Sequence, residues 1–185
     1  MTTQSSAPPQ AKQNGSAQTP AAQATPNPTV AKQPDGPGLR TGTVAEFTML
    51  APVLPGGADK FRANLATTQG QAAYYEGLLG TVHDLRIVLI NNDTQVLFAA
   101  TYDGDLLPYV ADVFAKATPW LDAMFLGVLD GYAGGHDPGI LDWVAKVQIQ
   151  ADLWYASNPT TTVKDVTRAQ KVMQAFDALL DAASS

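Results

Sequence analysis

Two apolar runs joined by a short polar turn constrain the fold of this chain more than any other feature. Residues 81–90 and 95–102 have the composition of strands, and Asn91-Asn92-Asp93 between them is typical of a turn. The sequence therefore predicts a β-hairpin in which Ile90 lies opposite Gln95. Because neighbouring side chains of a strand point to opposite faces, this register assigns every hairpin residue to a face.

One face of the predicted hairpin is mostly apolar and the other carries charges. The alternation places on the first face His83, Leu85, Ile87, Leu89, Val96 and Phe98. It places on the second face Asp84, Arg86, Thr101 and Asp103. A charge on a sheet face that packs against helices is costly, so we expect the second face to look away from any helical layer.

The remaining pattern predicts an α+β domain. Strands are expected over 44–51 and 151–156, and helices from about residue 58, over 72–79, around 106–114, from Pro119, over 140–147 and after the N-cap Thr162. The last helix has a predicted core face of Val166, Ala169, Val172, Met173, Phe176, Leu179 and Leu180. This order is that of a ferredoxin-like βαββαβ sandwich, with four antiparallel strands and helices on one face. We expect a second copy to cover the open face in a homodimer.

The first 40 residues have a different composition from the rest. They hold seven of the thirteen prolines, are otherwise rich in Ala, Gln, Thr and Ser, and contain no aromatic residue. Such a segment buries too little apolar surface to offset its conformational entropy, so we expect residues 1–40 to be a disordered tail and the domain to cover 41–185.

Composition excludes several classes of function. Without cysteine, the chain has no disulfides, thiolate metal sites or cysteine nucleophiles. The tail holds Lys12, Lys32, Arg40 and Asp35, which leaves eight basic and sixteen acidic side chains, a net charge of about −8, for residues 41–185. That surface disfavours nucleic acid. No apolar run approaches the roughly 20 residues that cross a bilayer, so we expect no membrane partner and a cytoplasmic location.

The charged face is the predicted site. The catalytic candidates are Arg86, which would orient an anionic or carbonyl group, Asp84 and Asp103, which would exchange a proton, and His83, an auxiliary base or haem ligand. The ligand-binding candidates are Glu46, Thr101, Trp154 and His136, the last in a glycine-rich loop. The alternative is that Asp84 and Arg86 form an ion pair at a dimer interface. The two histidines lack the spacing of a zinc site, so no metal is predicted.

Short motifs spread over most of residues 41–185 resemble a family of bacterial domains of the dimeric α/β-barrel, ferredoxin-like type. They are Pro52-Val53-Leu54-Pro55-Gly56, Gly80-Thr81-Val82-His83 with Arg86, Tyr102-Asp103-Gly104, Asp152-Leu153-Trp154-Tyr155-Ala156-Ser157 and Thr162-Val163-Lys164-Asp165. The wider fold group includes dye-decolourising peroxidases, chlorite dismutases and cofactor-free monooxygenases, so the resemblance implies oxidative chemistry with or without haem. Tyr102-Asp103-Gly104 matches only the final pair of the peroxidases' Gly-x-x-Asp-Gly motif.

Two functions are therefore expected. The first is a small-molecule-binding protein or enzyme, oxidative in the manner of peroxidases or monooxygenases, with its site on the open sheet face. The alternative is a non-catalytic interaction or cargo module that is recruited through its N-terminal tail.

Overall fold

The computed structural model describes residues 28–184, which form a mixed α+β structure around one antiparallel sheet. The strands within these residues are β1 (Ala31–Lys32), β2 (Leu39–Thr41), β3 (Val44–Pro52), β4 (Val82–Ile90), β5 (Gln95–Asp103) and β6 (Gln148–Ile149). The α-helices are α1 (Gly57–Thr68), α2 (Ala72–Leu79), α3 (Leu106–Phe125), α4 (Ile140–Val147) and α5 (Val163–Ala183). A 3-10 turn, Gln69–Gln71, joins α1 to α2.

The sheet is built around β3, which pairs with β5 along its whole length. Its strand order is β1-β2-β3-β5-β4, and β6 joins β3 on the edge that β2 also uses. Every one of these pairings is antiparallel. The predicted α+β class with an antiparallel sheet is confirmed.

The predicted hairpin and its register are confirmed. The pairs between β4 and β5 include Ile90–Gln95, Val88–Leu97, Arg86–Ala99 and Asp84–Thr101. In the connecting loop, Asn91, Asn92 and Asp93 have φ values of 51°, 52° and 67°. Asn and Asp tolerate this left-handed region better than most residues, which is why three of them in a row favour a tight reversal here.

The core lies between one face of the sheet and the first four helices. Phe47, Phe98 and Tyr102 of the sheet and Trp120 and Phe125 of α3 belong to one buried cluster. Contrary to the prediction of two helices, α3 continues through Pro119. A proline inside a helix removes one backbone hydrogen bond. Burial of the following turn, where Trp120 also donates from Nε1 to the Thr68 carbonyl at 2.9 Å, offsets that loss.

The predicted disorder of residues 1–40 is wrong over residues 28–40, because β1 and β2 extend the sheet; residues 1–27 lie outside the described residues. Hydrogen bonds of the Gln33 side chain hold this extension against β3 and β5. It is 6 % exposed, and its Nε2 donates to the Glu46 carbonyl at 3.1 Å and to the Tyr102 hydroxyl at 2.7 Å. Burial raises the pKa of the Tyr102 phenol, and the hydrogen bond from Gln33 opposes part of that rise.

The predicted fourth strand over residues 151–156 is wrong, because the edge of β3 that it needs is occupied. The two residues of β6 pair with β3 and the strand ends there. Farther along β3, the Glu46 carbonyl already accepts the Gln33 side chain, and Ala45 already pairs with β2. The chain therefore leaves the sheet and crosses its outer face without regular structure over residues 150–162.

Helix α5 begins as predicted but does not join the core. Thr162 and Asp165 form the expected capping box, each side chain accepting a hydrogen bond from the other residue's backbone N–H. The predicted core face is wrong: α5 buries no residue, and its large apolar side chains remain well exposed. The sheet face that could have received α5 is already filled by the first four helices. Among residues 28–184, no helix combines the length and apolar character needed to span a membrane.

Candidate functional site

A cavity of about 250 Å³ lies on the outer face of the sheet, beside the open end of the β4–β5 hairpin. The strands contribute Val44, His83, Asp84 and Thr101 to its wall. The remaining wall comes from the crossing segment and the start of α5: Trp154, Tyr155, Ala156, Ser157, Asn158, Thr161 and Val166. Four predicted site residues, His83, Asp84, Thr101 and Trp154, thus meet at one cavity.

A close backbone approach holds the crossing segment against the sheet. Thr43 N donates to the Pro159 carbonyl at 2.8 Å. Gly42, with φ 59°, lies against the same carbonyl, and a Cβ atom at this position would come within 2.2 Å of the oxygen. Since only glycine combines this φ with this proximity, Gly42 sets the position of the cavity wall.

A β-bulge brings His83 to the cavity. Val82 pairs with Tyr102 and Asp84 pairs with Thr101, so His83 is an extra residue between two consecutive pairs. Val82 packs against the core, whereas His83 lines the cavity. The prediction that His83 shares the helix-packed face is therefore wrong, because strict alternation fails at a bulge.

His83 and Asp103 form the best-defined polar contact of the site. His83 Nε2 lies 2.8 Å from Asp103 Oδ1, and the side chains are 23 % and 11 % exposed. The other carboxylate oxygen of Asp103 accepts the Val163 N–H at 2.8 Å. Asp103 therefore joins the imidazole to the first turn of α5. With Nε2 as donor, the neutral ring keeps Nδ1 as an acceptor, and Nδ1 makes no hydrogen bond within the described residues.

Asp84 and Arg86 lie on the outer face as predicted, but they differ in their relation to the cavity. They form the exposed ion pair of the alternative prediction: Arg86 Nη2 lies 3.8 Å from Asp84 Oδ1, too far for a hydrogen bond, and the Asp84 and Arg86 side chains are 54 % and 66 % exposed. Asp84 lines the cavity and Arg86 does not. The carboxylate is thus the ionic group that a ligand would meet first.

Glu46 pairs with Thr101 and lies on the same sheet face, as predicted, yet it is not part of the cavity wall. It is 3 % exposed, and its carboxylate accepts the Leu39 N–H at 3.0 Å and the Thr48 hydroxyl at 2.8 Å. The Ala151 N–H is a further donor at 3.3 Å. These donors come from β2, β3 and the start of the crossing segment, so Glu46 joins those elements.

His136 lies away from this cavity, exposed on the loop between α3 and α4. That loop is fastened to α3, because Asp122 Oδ1 accepts the Gly135 N–H at 2.8 Å and the Tyr132 hydroxyl at 2.6 Å. Burial raises the pKa of Tyr132, and its hydrogen bond to Asp122 adds to the rise. The loop is therefore part of the helical layer.

These residues do not fit a haem. The cavity beside His83 measures about 250 Å³, smaller than the roughly 300–1,000 Å³ of sites for drug-sized ligands. His136 adjoins no described cavity wall. Nor do residues 28–184 place three or more His, Asp or Glu side chains where they could hold a metal ion.

A second pocket lies at the core and is apolar. It measures about 50 Å³, and its wall includes Phe47, Met49, Phe98, Tyr109 and Leu121. A cavity of this size and polarity is a packing void. The outer-face cavity is the better candidate because it combines ionic, hydroxyl and aromatic groups.

Sequence reasoning missed the part of the site that comes from irregular chain. Ser157, Asn158 and Thr161 line the cavity. The predicted strand over 151–156 instead placed the residues just before them in the sheet. Two signals pointed the other way. The polar run from Ser157 to Thr162 is typical of a loop. The interval of three residues from Val82 to Leu85 breaks the period of two and indicates a bulge.

Comparisons with models of known protein families, with curated proteins and with solved structures found no match for this chain.

Proposed function

We propose that this protein binds a small molecule with a cationic group in the outer-face cavity. One observation carries the proposal: the Asp84 carboxylate and the Trp154 side chain line the same cavity, while Arg86 lies outside it. A carboxylate and an aromatic ring together attract a cation through charge and through the ring quadrupole. The hydroxyl and amide groups of Thr101, Ser157 and Asn158 supply further hydrogen-bond partners.

The His83–Asp103 pair supports acid–base chemistry on the bound molecule. Held through Nε2, the ring presents Nδ1 as a proton acceptor. We propose His83 as the catalytic base of an enzymatic function and Asp103 as its positioning residue. The oxidative chemistry implied by the resemblance stays a prediction.

We also propose that the domain is of the ferredoxin-like type. Counted from β3, the strands β3, β4, β5 and β6 are the first to the fourth along the chain. Across the sheet they lie in the order β6-β3-β5-β4, that is fourth, first, third and second, and the helices lie on one face. This is the ferredoxin-like arrangement and supports the proposal. The cytoplasmic location and the homodimer stay predictions. The crossing segment covers part of the outer sheet face on which the second copy was expected.

Tryptophan fluorescence tests the binding proposal, because Trp154 is half-buried at the site, whereas Trp120 is buried in the core and Trp143 is outside the cavity wall. We expect tetramethylammonium and choline to change the emission saturably, and the neutral isostere 3,3-dimethylbutanol to have little effect. Asp84→Asn should weaken the binding of the cations roughly tenfold, because it removes a charge-assisted contact.

Asp152→Asn is the matched control, because it removes the same charge from an exposed position of the crossing segment outside the cavity wall. It should leave the titration unchanged. Equal loss in both variants would mean that only the net charge of the protein matters. An absence of saturable binding by any cation would contradict the proposal.

The alternative function, an interaction module, keeps one specific observation in its favour. Helix α5 exposes a long apolar surface that no other described part of the chain covers. The predicted recruiting tail includes residues 1–27, which lie outside the described residues.

A further inference from the structure

The side of α5 that faces α2 carries a row of cations. Lys164, Arg168 and Lys171 follow one another at intervals of four and three residues, which places them on one side of the helix over about 10.5 Å of its length. They are three of the eight basic side chains of residues 41–185, a part of the chain whose net charge is about −8. The row is therefore a local reversal of the charge of the domain.

None of the three cations is held by a salt bridge within residues 28–184. The nearest acid on the same helix is Asp165, and its carboxylate already accepts hydrogen bonds from Thr162. Those bonds lower the pKa of Asp165, and the charge of Arg168 adds a smaller part of the shift. Most of the charge of the row is therefore left for a group outside α5.

The row lines a groove of about 810 Å³ between α5 and α2. The wall on the α2 side consists of the small residues Ala73, Gly77 and Gly80, with Glu76 as the one acid among the lining residues. A Cβ atom at Gly77 would meet no atom within 4 Å, so the groove is open at this point. The other lining residues are mostly apolar: Val82, Val163, Val172 and Ala175, with the hydroxyl of Thr167.

The dimensions of the groove are those of a short helix. The cation row extends over about two turns, and two turns of a helix about 10 Å wide occupy roughly 800 Å³. An amphipathic helix in this groove would set acidic side chains against the row and small apolar side chains against Ala73 and Gly77. Small residues on the α2 side allow the close approach that helix packing requires.

A small phosphate fits the groove less well than a helix does. Sites for small phosphates are built largely from backbone N–H groups. The Val163 N–H, at the start of α5, already donates to Asp103 at 2.8 Å. The Thr167 hydroxyl donates to the Val163 carbonyl at 2.9 Å. Three long cationic side chains above an apolar floor suit the side of an acidic helix instead.

Residues 1–27 do not supply this acidic segment, because their only charged side chain is Lys12. We propose that the groove between α2 and α5 binds an acidic amphipathic helix of a partner protein. The partner's acidic side lies along Lys164, Arg168 and Lys171, and its small apolar side lies against α2. This interface uses the side of α5 opposite to the exposed apolar residues and does not depend on the outer-face cavity.

Calorimetric titration of the full chain with a synthetic helical peptide is the first test. In the peptide, Glu recurs at intervals of four and three residues along one side and Ala fills the adjacent side; in a control peptide every Glu is replaced by Gln. We expect the control peptide to bind at least about tenfold more weakly, because the contact depends on charge. No binding of the Glu peptide, or equal binding of the two, overturns the proposal.

A pair of double variants tests the position of the charge. Lys164→Gln with Lys171→Gln removes two cations from the row and should weaken binding of the Glu peptide roughly tenfold. Lys116→Gln with Lys146→Gln removes the same charges from exposed helix positions outside the groove and should leave binding nearly unchanged. Equal losses would show that only net charge matters and would remove the groove from the explanation.

A glycine substitution tests the groove without changing charge. Gly77→Phe places a ring in the groove and should abolish binding of the Glu peptide, whereas Gly70→Phe, also at a glycine with open space around its Cβ position, lies outside the groove and should not. Binding that survives Gly77→Phe contradicts the proposal. So do tighter binding of sodium triphosphate than of the peptide, which would assign the row to a small anion, and a dimer that the Lys164→Gln, Lys171→Gln variant dissociates, which would assign the groove to a second copy.

Discussion

Helices α3 and α5 have nearly the same length, 20 and 21 residues, yet only α3 contributes buried side chains to the core. Nine residues of α3 are buried and none of α5 is. Both sequences carry an apolar stripe, so amphipathicity alone does not distinguish a core helix from an exposed one.

The starts of the two helices show the same contrast. The first turn of α5 is satisfied locally by Thr162 and Asp165. The Asp105 side chain makes no capping bond at the start of α3; instead Asp35, 72 residues away, accepts the Leu107 N–H at 3.0 Å. One helix is specified by its neighbours in sequence and the other by its neighbours in space.

The strongest test of this contrast between α3 and α5 is to remove one phenylalanine from each helix. Phe125→Ala should destabilise the protein by about 3–5 kcal/mol, because Phe125 is 2 % exposed and stacks on Phe61. Phe176→Ala should change stability by less than about 0.5 kcal/mol. Urea unfolding, at concentrations where the chain is monomeric, measures both. Similar losses would mean that α5 belongs to the cooperative core.

Removing the hydrogen-bond acceptor at the start of each helix, Asp35 for α3 and Thr162 for α5, is expected to change stability less than removing Phe125 does. Asp35→Ala should lower the free energy of unfolding by about 1–2 kcal/mol, because it leaves the first turn of α3 without its acceptor and α3 is part of the core. Thr162→Ala should destabilise α5 by about 1 kcal/mol and leave global unfolding nearly unchanged.

Amide hydrogen exchange separates these outcomes: faster exchange confined to α5 is expected for Thr162→Ala, and a shift of the slowest core amides for Asp35→Ala. Asp35→Asn retains an acceptor and should recover most of the loss. The comparison fails if Thr162→Ala accelerates the core amides as much as Asp35→Ala does.

The smallest expected effect is the response of α5 to acid. Hydrogen bonds from Thr162 hold the pKa of the Asp165 carboxyl below its ordinary value. Because the folded-state pKa is lowered, this cap contributes fully above the ordinary pKa and is lost as the pH falls through the folded-state pKa. NMR titration of the Asp165 side chain should give a higher pKa in Thr162→Ala than in the native chain. Identical titrations would show that the capping box has no influence on the carboxylate.

Much of the fold was predictable because local signals and burial agree. In the hairpin, turn residues set the register and alternation set the faces, which correctly placed Asp84, Arg86 and Thr101 on the outer side. Two of the eleven residues that line the cavity, Asp84 and Thr101, followed from this register. Ser157, Asn158 and Thr161 did not, because they lie on irregular chain whose path depends on contacts with Gly42 and Thr43.

The strand register, the helix starts marked by their own residues and the acidic character of the domain all follow from short-range physical chemistry, which the order of residues specifies directly. Two outcomes needed the folded molecule: the occupation of the β3 edge by Gln33 and the exposure of α5. Each depends on whether a distant group already occupies an edge or a face. Such occupancy is a property of packing in three dimensions, and it decides where the candidate site lies.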